Sequence, residues 1–83
     1  MERSAIFVYT PICGTCKVAM KMIHVLRELR QDIPIEEYNL NIHKNLAEKF
    51  HIESVPCLLI FEGNQLREKI YAFNSVPYLL EKL

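Results

Sequence analysis

The sequence predicts a single α/β domain over residues 1–83, with a mixed four-stranded sheet and helices on both faces. Residues 5–9 and 57–61 are apolar runs of strand length, typical of strands that are buried on both sides. A strand, a helix and a second strand follow one another at the start, and such units are parallel and right-handed in nearly all cases. Two strands joined by a short turn near the end are antiparallel. The predicted order is therefore βαβ, α, ββα.

The first three elements lie in the first half of the chain. Thr10 and Pro11 end the strand at residues 5–9, because proline lacks an amide donor and restrains the residue before it. Residues 17–31 contain neither glycine nor proline and are rich in helix formers. Residues 35–40 alternate loosely and form the second predicted strand. The helix is amphipathic, and the side chains that we expect on its buried face are Val18, Met22, Val25 and Leu29, flanked by Ala19, Ile23 and Leu26.

The second half contains a short helix, a hairpin and a final helix. The short helix is predicted at residues 46–50, and His51 follows where a left-handed residue often ends a helix. The hairpin consists of strands at 57–61 and 66–73, with a turn at 62–65. Ser75 is the predicted N-cap of the last helix, and Pro77 is tolerated in its first turn.

Composition excludes several classes of function. Ten basic and ten acidic residues give a formal net charge near zero and form no run of like charge, so nothing predicts a nucleic-acid partner. No stretch approaches the ~20 apolar residues that span a membrane, and the start lacks the apolar core of about 7–15 residues of a secretory signal. Three cysteines is an odd number, unlike the disulfide framework of a small secreted protein. We therefore expect a cytoplasmic monomer.

The segment Cys13-Gly14-Thr15-Cys16 is the strongest functional signal, because it lies between a predicted strand and a predicted helix. Unpaired amides and the dipole at a helix N-terminus stabilise a thiolate. A thiol of lowered pKa is a nucleophile at neutral pH, and a second thiol three residues later can close a disulfide. The segment therefore predicts a redox site.

Two structural interpretations of the same cysteines stay open. Free cysteines are often buried, so the pair could be inert core residues. The spacing is also that of half a zinc site, but a closed site needs further ligands. Cys57 is the only other cysteine, and the three histidines do not pair at ligand spacing.

The order of elements and several motifs together resemble the thioredoxin superfamily. Residues 11–16 look like its active site, including the upstream proline. Residues 46–50 followed by 52–56 look like its second helix and cis-proline loop, and residues 58–61 with Gly63 resemble the hairpin that follows. The resemblance implies a thioredoxin-like fold and a thiol–disulfide oxidoreductase that needs neither a bound cofactor nor a metal. It also implies disulfide-containing protein substrates, and a flavoprotein disulfide reductase or a low-molecular-weight thiol as electron donor.

The resemblance also implies roles for individual residues. Cys13 would attack a substrate disulfide, and Cys16 would resolve the mixed disulfide. Val55 would bind extended substrate through its backbone, before a cis bond to Pro56. Ile12 would contact the substrate, and Tyr71 and Phe73 would flank an aliphatic substrate groove, although at least one of these two rings could instead pack in the core.

Three residues around the cysteines would tune the site. Pro11 precedes the motif, and Gly14 permits close approach of a partner's backbone. Thr15 stands where the family commonly has proline, and its hydroxyl and amide could hydrogen-bond a thiolate. We expect this to make the protein more oxidising than a typical thioredoxin, although Thr15 could equally be a first-turn residue without redox effect.

The chain departs from the family pattern at four further places. Residues 5–9 lack the buried acid that many thioredoxins have there, and Ile12 replaces a common tryptophan. The glutathione-binding signatures of glutaredoxins are missing around residues 73–75. Cys57 follows the proline where the family often has threonine, as either a third redox thiol or a small buried residue. Alternative functions are a redox-sensing interaction module and a zinc-binding domain.

Overall fold

The computed structural model describes residues 2–83 and confirms the predicted order of elements. The elements are β1 (Arg3–Tyr9), α1 (Gly14–Leu29), β2 (Ile35–Asn39), α2 (Asn45–Phe50), β3 (Cys57–Glu62), β4 (Gln65–Ile70) and α3 (Val76–Lys82). None of the helices in this part of the chain is long and apolar enough to cross a membrane.

The four strands form one mixed sheet, as predicted, and their order in the structure is β2-β1-β3-β4. β1 and β2 are parallel, whereas β3 is antiparallel to both β1 and β4. The two central strands bury side chains on both faces because helices cover the sheet on both sides. Residues 5–9 and 57–61 of these strands are therefore continuously apolar rather than alternating.

Each face of the sheet has its own core. Phe7 and Leu58 point to the face covered by α1 and α3, where they pack with Ile23 and Leu79. Their neighbours Val8 and Leu59 point to the opposite face, which α2 covers. Successive residues alternate between the two cores because strand side chains have a period of two.

The buried face of α1 differs from the prediction. The helix buries Ala19, Ile23 and Leu26, the predicted flank of the stripe, together with Cys16, whereas the centre of the predicted stripe is largely exposed. Val18, Val25 and Leu29 are 56%, 44% and 55% exposed, respectively. The apolar arc of α1 is wider than one contact face, and the sheet packs against the half that contains the small Ala19. Periodicity locates the arc but does not show which part of it meets the sheet.

β4 is shorter than predicted, ending at Ile70 instead of Phe73. Ile70 pairs with Leu58, so two positions further along, Pro56 would face residue 72. Proline has no amide hydrogen to donate, and the ladder stops there. The turn is also tighter than predicted, because β3 continues to Glu62 and β4 begins at Gln65. Gly63 has φ +61 in this turn, a conformation that glycine adopts without strain.

The predicted helix ends at α2 and α3 are confirmed. His51 ends α2 in the left-handed conformation, with φ 53 and ψ 51. The Ser75 hydroxyl accepts a 3.2 Å hydrogen bond from the Tyr78 amide at the start of α3, and Pro77 lies in the first turn. α1, in contrast, begins at Gly14 and ends at Leu29, so it starts three residues earlier than the predicted residue 17.

Candidate active site

Cys13 and Cys16 form a disulfide at the N-terminus of α1, with Cα atoms 5.2 Å apart. Cys13 is the N-cap residue, and its extended backbone places the sulfur over the open end of the helix. The Cys16 amide donates a 3.1 Å hydrogen bond to the Cys13 sulfur. Cys13 is partly exposed, whereas Cys16 is only 3% exposed and belongs to the core. The two sulfurs thus differ in accessibility.

The surroundings of Cys13 favour negative charge on its sulfur. The first turn of α1 has no acidic residue, and its Cys16 amide donates to the sulfur at the positive end of the helix dipole. The Thr15 hydroxyl oxygen lies 3.5 Å from the same sulfur. When the disulfide is reduced, this hydroxyl can donate to the thiolate, as the sequence analysis expected.

The loop that follows α2 lines a groove together with the first turns of α1, the helix that carries the disulfide. The peptide bond between Val55 and Pro56 is cis, which confirms the expectation from the sequence. The groove has a volume of about 440 Å³, and no residue that lines it is charged. Its walls include Thr15, Val18 and Met22 from α1, Val55 and Pro56 from the loop, and Tyr71 from the segment after β4.

Several residues that the sequence analysis selected come together here. Thr15, Val55, Pro56 and Tyr71 line one groove, although they lie up to 56 positions apart in the chain. Ile12 precedes Cys13 and is 96% exposed, so it is free to contact a partner. Phe73 lines the same groove and is only 6% exposed, because it also packs in the core.

The two tuning candidates beside Cys13 are open to solvent. Pro11 and Gly14 are both exposed. A Cβ added at Gly14 would meet no atom within 4 Å apart from its neighbours in the chain and in the helix, so the surface at this position is open. Such space would let the backbone of a partner approach closely.

Sequence reasoning missed Val18 and Met22, which it assigned to the buried face of α1. Together with Thr15 they form one side of the groove. The signal was present, since these residues are spaced i, i+3 and i+7 and lie on the same side of the helix as Thr15. Their position next to the cis-proline loop follows only from the tertiary fold.

Cys57 lies at the start of β3, opposite Val8 in β1, and is fully buried. Burial raises the pKa of its thiol from 9.0 to about 11, although the Lys69 charge and the Tyr71 hydroxyl act in the opposite direction. The thiol is therefore protonated at neutral pH and inaccessible. These properties favour the interpretation of Cys57 as a small buried residue.

The structure also bears on acidic groups and metal ligands. Among residues 2–83, no buried side chain is polar or charged, which agrees with the acid-free sequence of β1. In the same part of the chain, no three or more His, Cys, Asp or Glu side chains are placed to hold a metal ion.

The two cysteines can exchange electrons by forming and breaking their disulfide. Thiol–disulfide oxidoreductases are the class of protein that combines this chemistry with this fold. A family model described as Thioredoxin matches residues 2–82. The chain belongs to the thioredoxin family, and it is a thiol–disulfide oxidoreductase. Proteins of this family use their own disulfide as the redox group.

Curated relatives agree with this assignment. The thioredoxin-like protein YusE of Bacillus subtilis is 45% identical over 76 residues, which cover 92% of this chain and 72% of that protein. Thioredoxin 1 of Chlorobaculum tepidum is 27% identical over 67 residues, or 80% of this chain and 64% of that protein. A bifunctional thioredoxin reductase/thioredoxin of Mycobacterium leprae is 26% identical over 72 residues, or 86% of this chain and 16% of that protein.

Solved structures show the same fold. A mutant thioredoxin from Halobacterium salinarum superposes with a TM-score of 0.89 at 18% identity, over 98% of this chain and 71% of that one. Oxidised mitochondrial thioredoxin 3 from Saccharomyces cerevisiae gives a TM-score of 0.86 at 23% identity, over 98% of this chain and 74% of that one.

Proposed function

We propose that this protein reduces or exchanges disulfides in other proteins, with Cys13 as the attacking thiol and Cys16 as the resolving thiol. The observation that carries the proposal is the difference in accessibility between the two cysteines. Cys13 lies partly exposed at the helix N-terminus, and Cys16 is 3% exposed behind it. A bulky protein disulfide can therefore reach the first sulfur and not the second.

The reaction would proceed in two exchanges. The Cys13 thiolate attacks one sulfur of the substrate disulfide, forming a mixed disulfide and releasing the other substrate sulfur as a thiolate that takes a proton from water. The Cys16 thiol loses its proton and attacks the Cys13 sulfur, which breaks the mixed disulfide and releases the second substrate thiol. The substrate gains two electrons, and the Cys13–Cys16 disulfide forms.

The apolar groove supports an extended protein segment as the substrate. The main chain of Val55, before Pro56, would pair with the substrate backbone in the manner of an added strand. Ile12 and Tyr71 would contact apolar side chains on either side of the substrate cysteine. Because no lining residue is charged, the groove would favour apolar over charged neighbours of that cysteine.

A second protein or a small thiol would return the electrons. The name of the Mycobacterium leprae relative joins a thioredoxin to its reductase, which supports a flavoprotein disulfide reductase as the donor. A low-molecular-weight thiol is the alternative donor. We further propose that the protein acts as a monomer in the cytoplasm, where a reducing environment would let the pair cycle.

The test is reduction of insulin with dithiothreitol as the electron source. We expect Cys13→Ser to abolish the protein-dependent rate. Pre-reduced Cys16→Ser, freed of dithiothreitol before insulin is added, should accumulate a mixed disulfide with insulin that is visible as added mass. Cys57→Ser is the matched control and should keep the wild-type rate. Wild-type activity in Cys13→Ser would exclude the proposed mechanism.

A further inference from the structure

Lys69 on β4 reaches the end of α2, where the cis-proline loop begins. Its ammonium group donates to the carbonyl oxygens of Phe50 and His51, at 3.2 Å and 3.0 Å. The last carbonyls of a helix lack partners within the helix, and a cation there also interacts favourably with the helix dipole. Lys69 therefore fixes the point from which the loop leaves α2.

Tyr71, two residues further on, contacts the same loop. Its hydroxyl oxygen accepts a 3.2 Å hydrogen bond from the Glu53 amide, while its ring lines the groove. The ring also packs against the core cluster that contains Ile52 and Cys57. Although the sequence analysis selected Tyr71 as a substrate contact, its hydroxyl is thus committed to the loop.

The two contacts bracket a short irregular segment. His51 is left-handed, Ile52 is buried, and Val55 and Pro56 follow with a cis bond. Few residues separate the Lys69 and Tyr71 contacts from Val55, so a shift at either contact would be transmitted to the Val55 backbone. Alignment of that backbone with the Cys13 sulfur is what an extended substrate requires.

We propose that Lys69 and Tyr71 are positioning residues that hold the cis-proline loop where it binds protein substrates. This inference rests on the proposed function, because it assigns a role to substrate binding at Val55. It separates two kinds of substrate. A protein disulfide uses both the loop and Cys13, whereas a small disulfide needs only Cys13.

The experiment compares insulin with the small disulfide 5,5′-dithiobis(2-nitrobenzoate). The variants are Lys69→Met, Lys69→Arg and Tyr71→Phe. We expect Lys69→Met and Tyr71→Phe to raise KM for insulin about two- to tenfold, the effect of losing a hydrogen bond, with kcat nearly unchanged. The rate constant of pre-reduced Lys69→Met with the small disulfide should stay at the wild-type value, because Lys69 does not line the groove. Lys69→Arg should have a KM for insulin close to that of wild type, because arginine keeps the positive charge.

Two matched controls come from the same chain. Arg67→Met removes a charge from the same strand, at a β-bulge where Arg67 lies 3.6 Å from Glu62 rather than near the loop. Tyr78→Phe removes a phenol hydroxyl on α3. Both should leave KM for insulin unchanged.

Several results would overturn the proposal. An unchanged KM in Lys69→Met and Tyr71→Phe would do so, as would an equal loss of rate with both disulfides, which indicates general damage. If Arg67→Met raised KM for insulin as much as Lys69→Met does, the cause would be the loss of positive charge on β4 and not the contact with the loop. Failure of the proposed function looks different, because wild-type protein would then not reduce insulin or Cys13→Ser would match it, and either result removes both proposals.

Discussion

The hydroxyl oxygen of Thr15 lies 3.5 Å from the sulfur of Cys13, on the first turn of α1. In the reduced protein the hydroxyl can turn its hydrogen towards the sulfur. The sulfur then has two donors, the Thr15 hydroxyl and the Cys16 amide. Both donors stabilise the Cys13 thiolate, and a stabilised thiolate favours the reduced state.

Thr15→Val tests this contribution, because it removes the hydroxyl and keeps the shape of the side chain. We expect the Cys13 pKa to rise and the redox potential to become more negative by about 10–30 mV, as expected for a hydrogen bond of about 0.5–1.5 kcal/mol. Equilibration with defined glutathione buffers and mass spectrometry measures the potential. Thr15→Ser keeps the hydroxyl and is the control. A potential in Thr15→Val equal to that of wild type would show that Thr15 has no redox effect.

The buried thiol of Cys57 predicts a loss of stability at alkaline pH. Its pKa is about 11 in the folded protein, compared with an ordinary value of 9.0. Between these values the unfolded chain loses the proton and the folded protein keeps it. The protonated Cys57 thiol therefore stabilises the folded protein fully below pH 9.0. As pH rises from 9.0 towards about 11, the free energy of unfolding falls by about 1.4 kcal/mol per pH unit.

Urea unfolding of the oxidised protein at several pH values measures this loss. Cys57→Ala is the comparison, since it lacks the thiol and retains the other titrating groups. The variant should be less stable at pH 7, and its difference from wild type should shrink above pH 9.0. A difference that stays constant from pH 7 to 11 would contradict the prediction.

Arg27 joins the end of α1 to β2. Its guanidinium donates two hydrogen bonds to the Ile35 carbonyl, at 3.2 Å and 2.6 Å, and pairs with the Glu37 carboxylate. We expect Arg27→Leu to lower the free energy of unfolding by about 1–3 kcal/mol, because it leaves a carbonyl and a carboxylate without their partner. Arg27→Lys should recover only part of the lost free energy of unfolding, since lysine lacks the planar guanidinium that contacts both groups.

Urea denaturation of the oxidised variants gives these values. The control is Arg30→Leu, because Arg30 pairs with Asp32 at an exposed position and we expect no measurable change there. Equal losses in Arg27→Leu and Arg30→Leu would show that the contacts to β2 add nothing.

Local sequence was sufficient for the type and order of the elements. Apolar runs identified the central strands, and the absence of glycine and proline identified most of α1. Short-range chemistry likewise located the caps at His51 and Ser75, which depend on neighbouring residues only. The boundaries were less accurate. The start of α1 was missed because Gly14 and Thr15 are weak helix formers, and Cys13 supplies the N-cap.

The motif at residues 13–16 and the Val55-Pro56 pair were likewise recognisable from the sequence, because both are short and lie between predicted elements. The sequence by itself therefore determined the fold class and the two cysteines. The tertiary structure decided which half of the apolar arc of α1 meets the sheet, so that Ala19 and Ile23 are buried while Val18 borders the groove. It also decided that the Tyr71 hydroxyl bonds to the Glu53 amide. Such contacts join residues distant in sequence, and the packing of the whole chain sets their geometry.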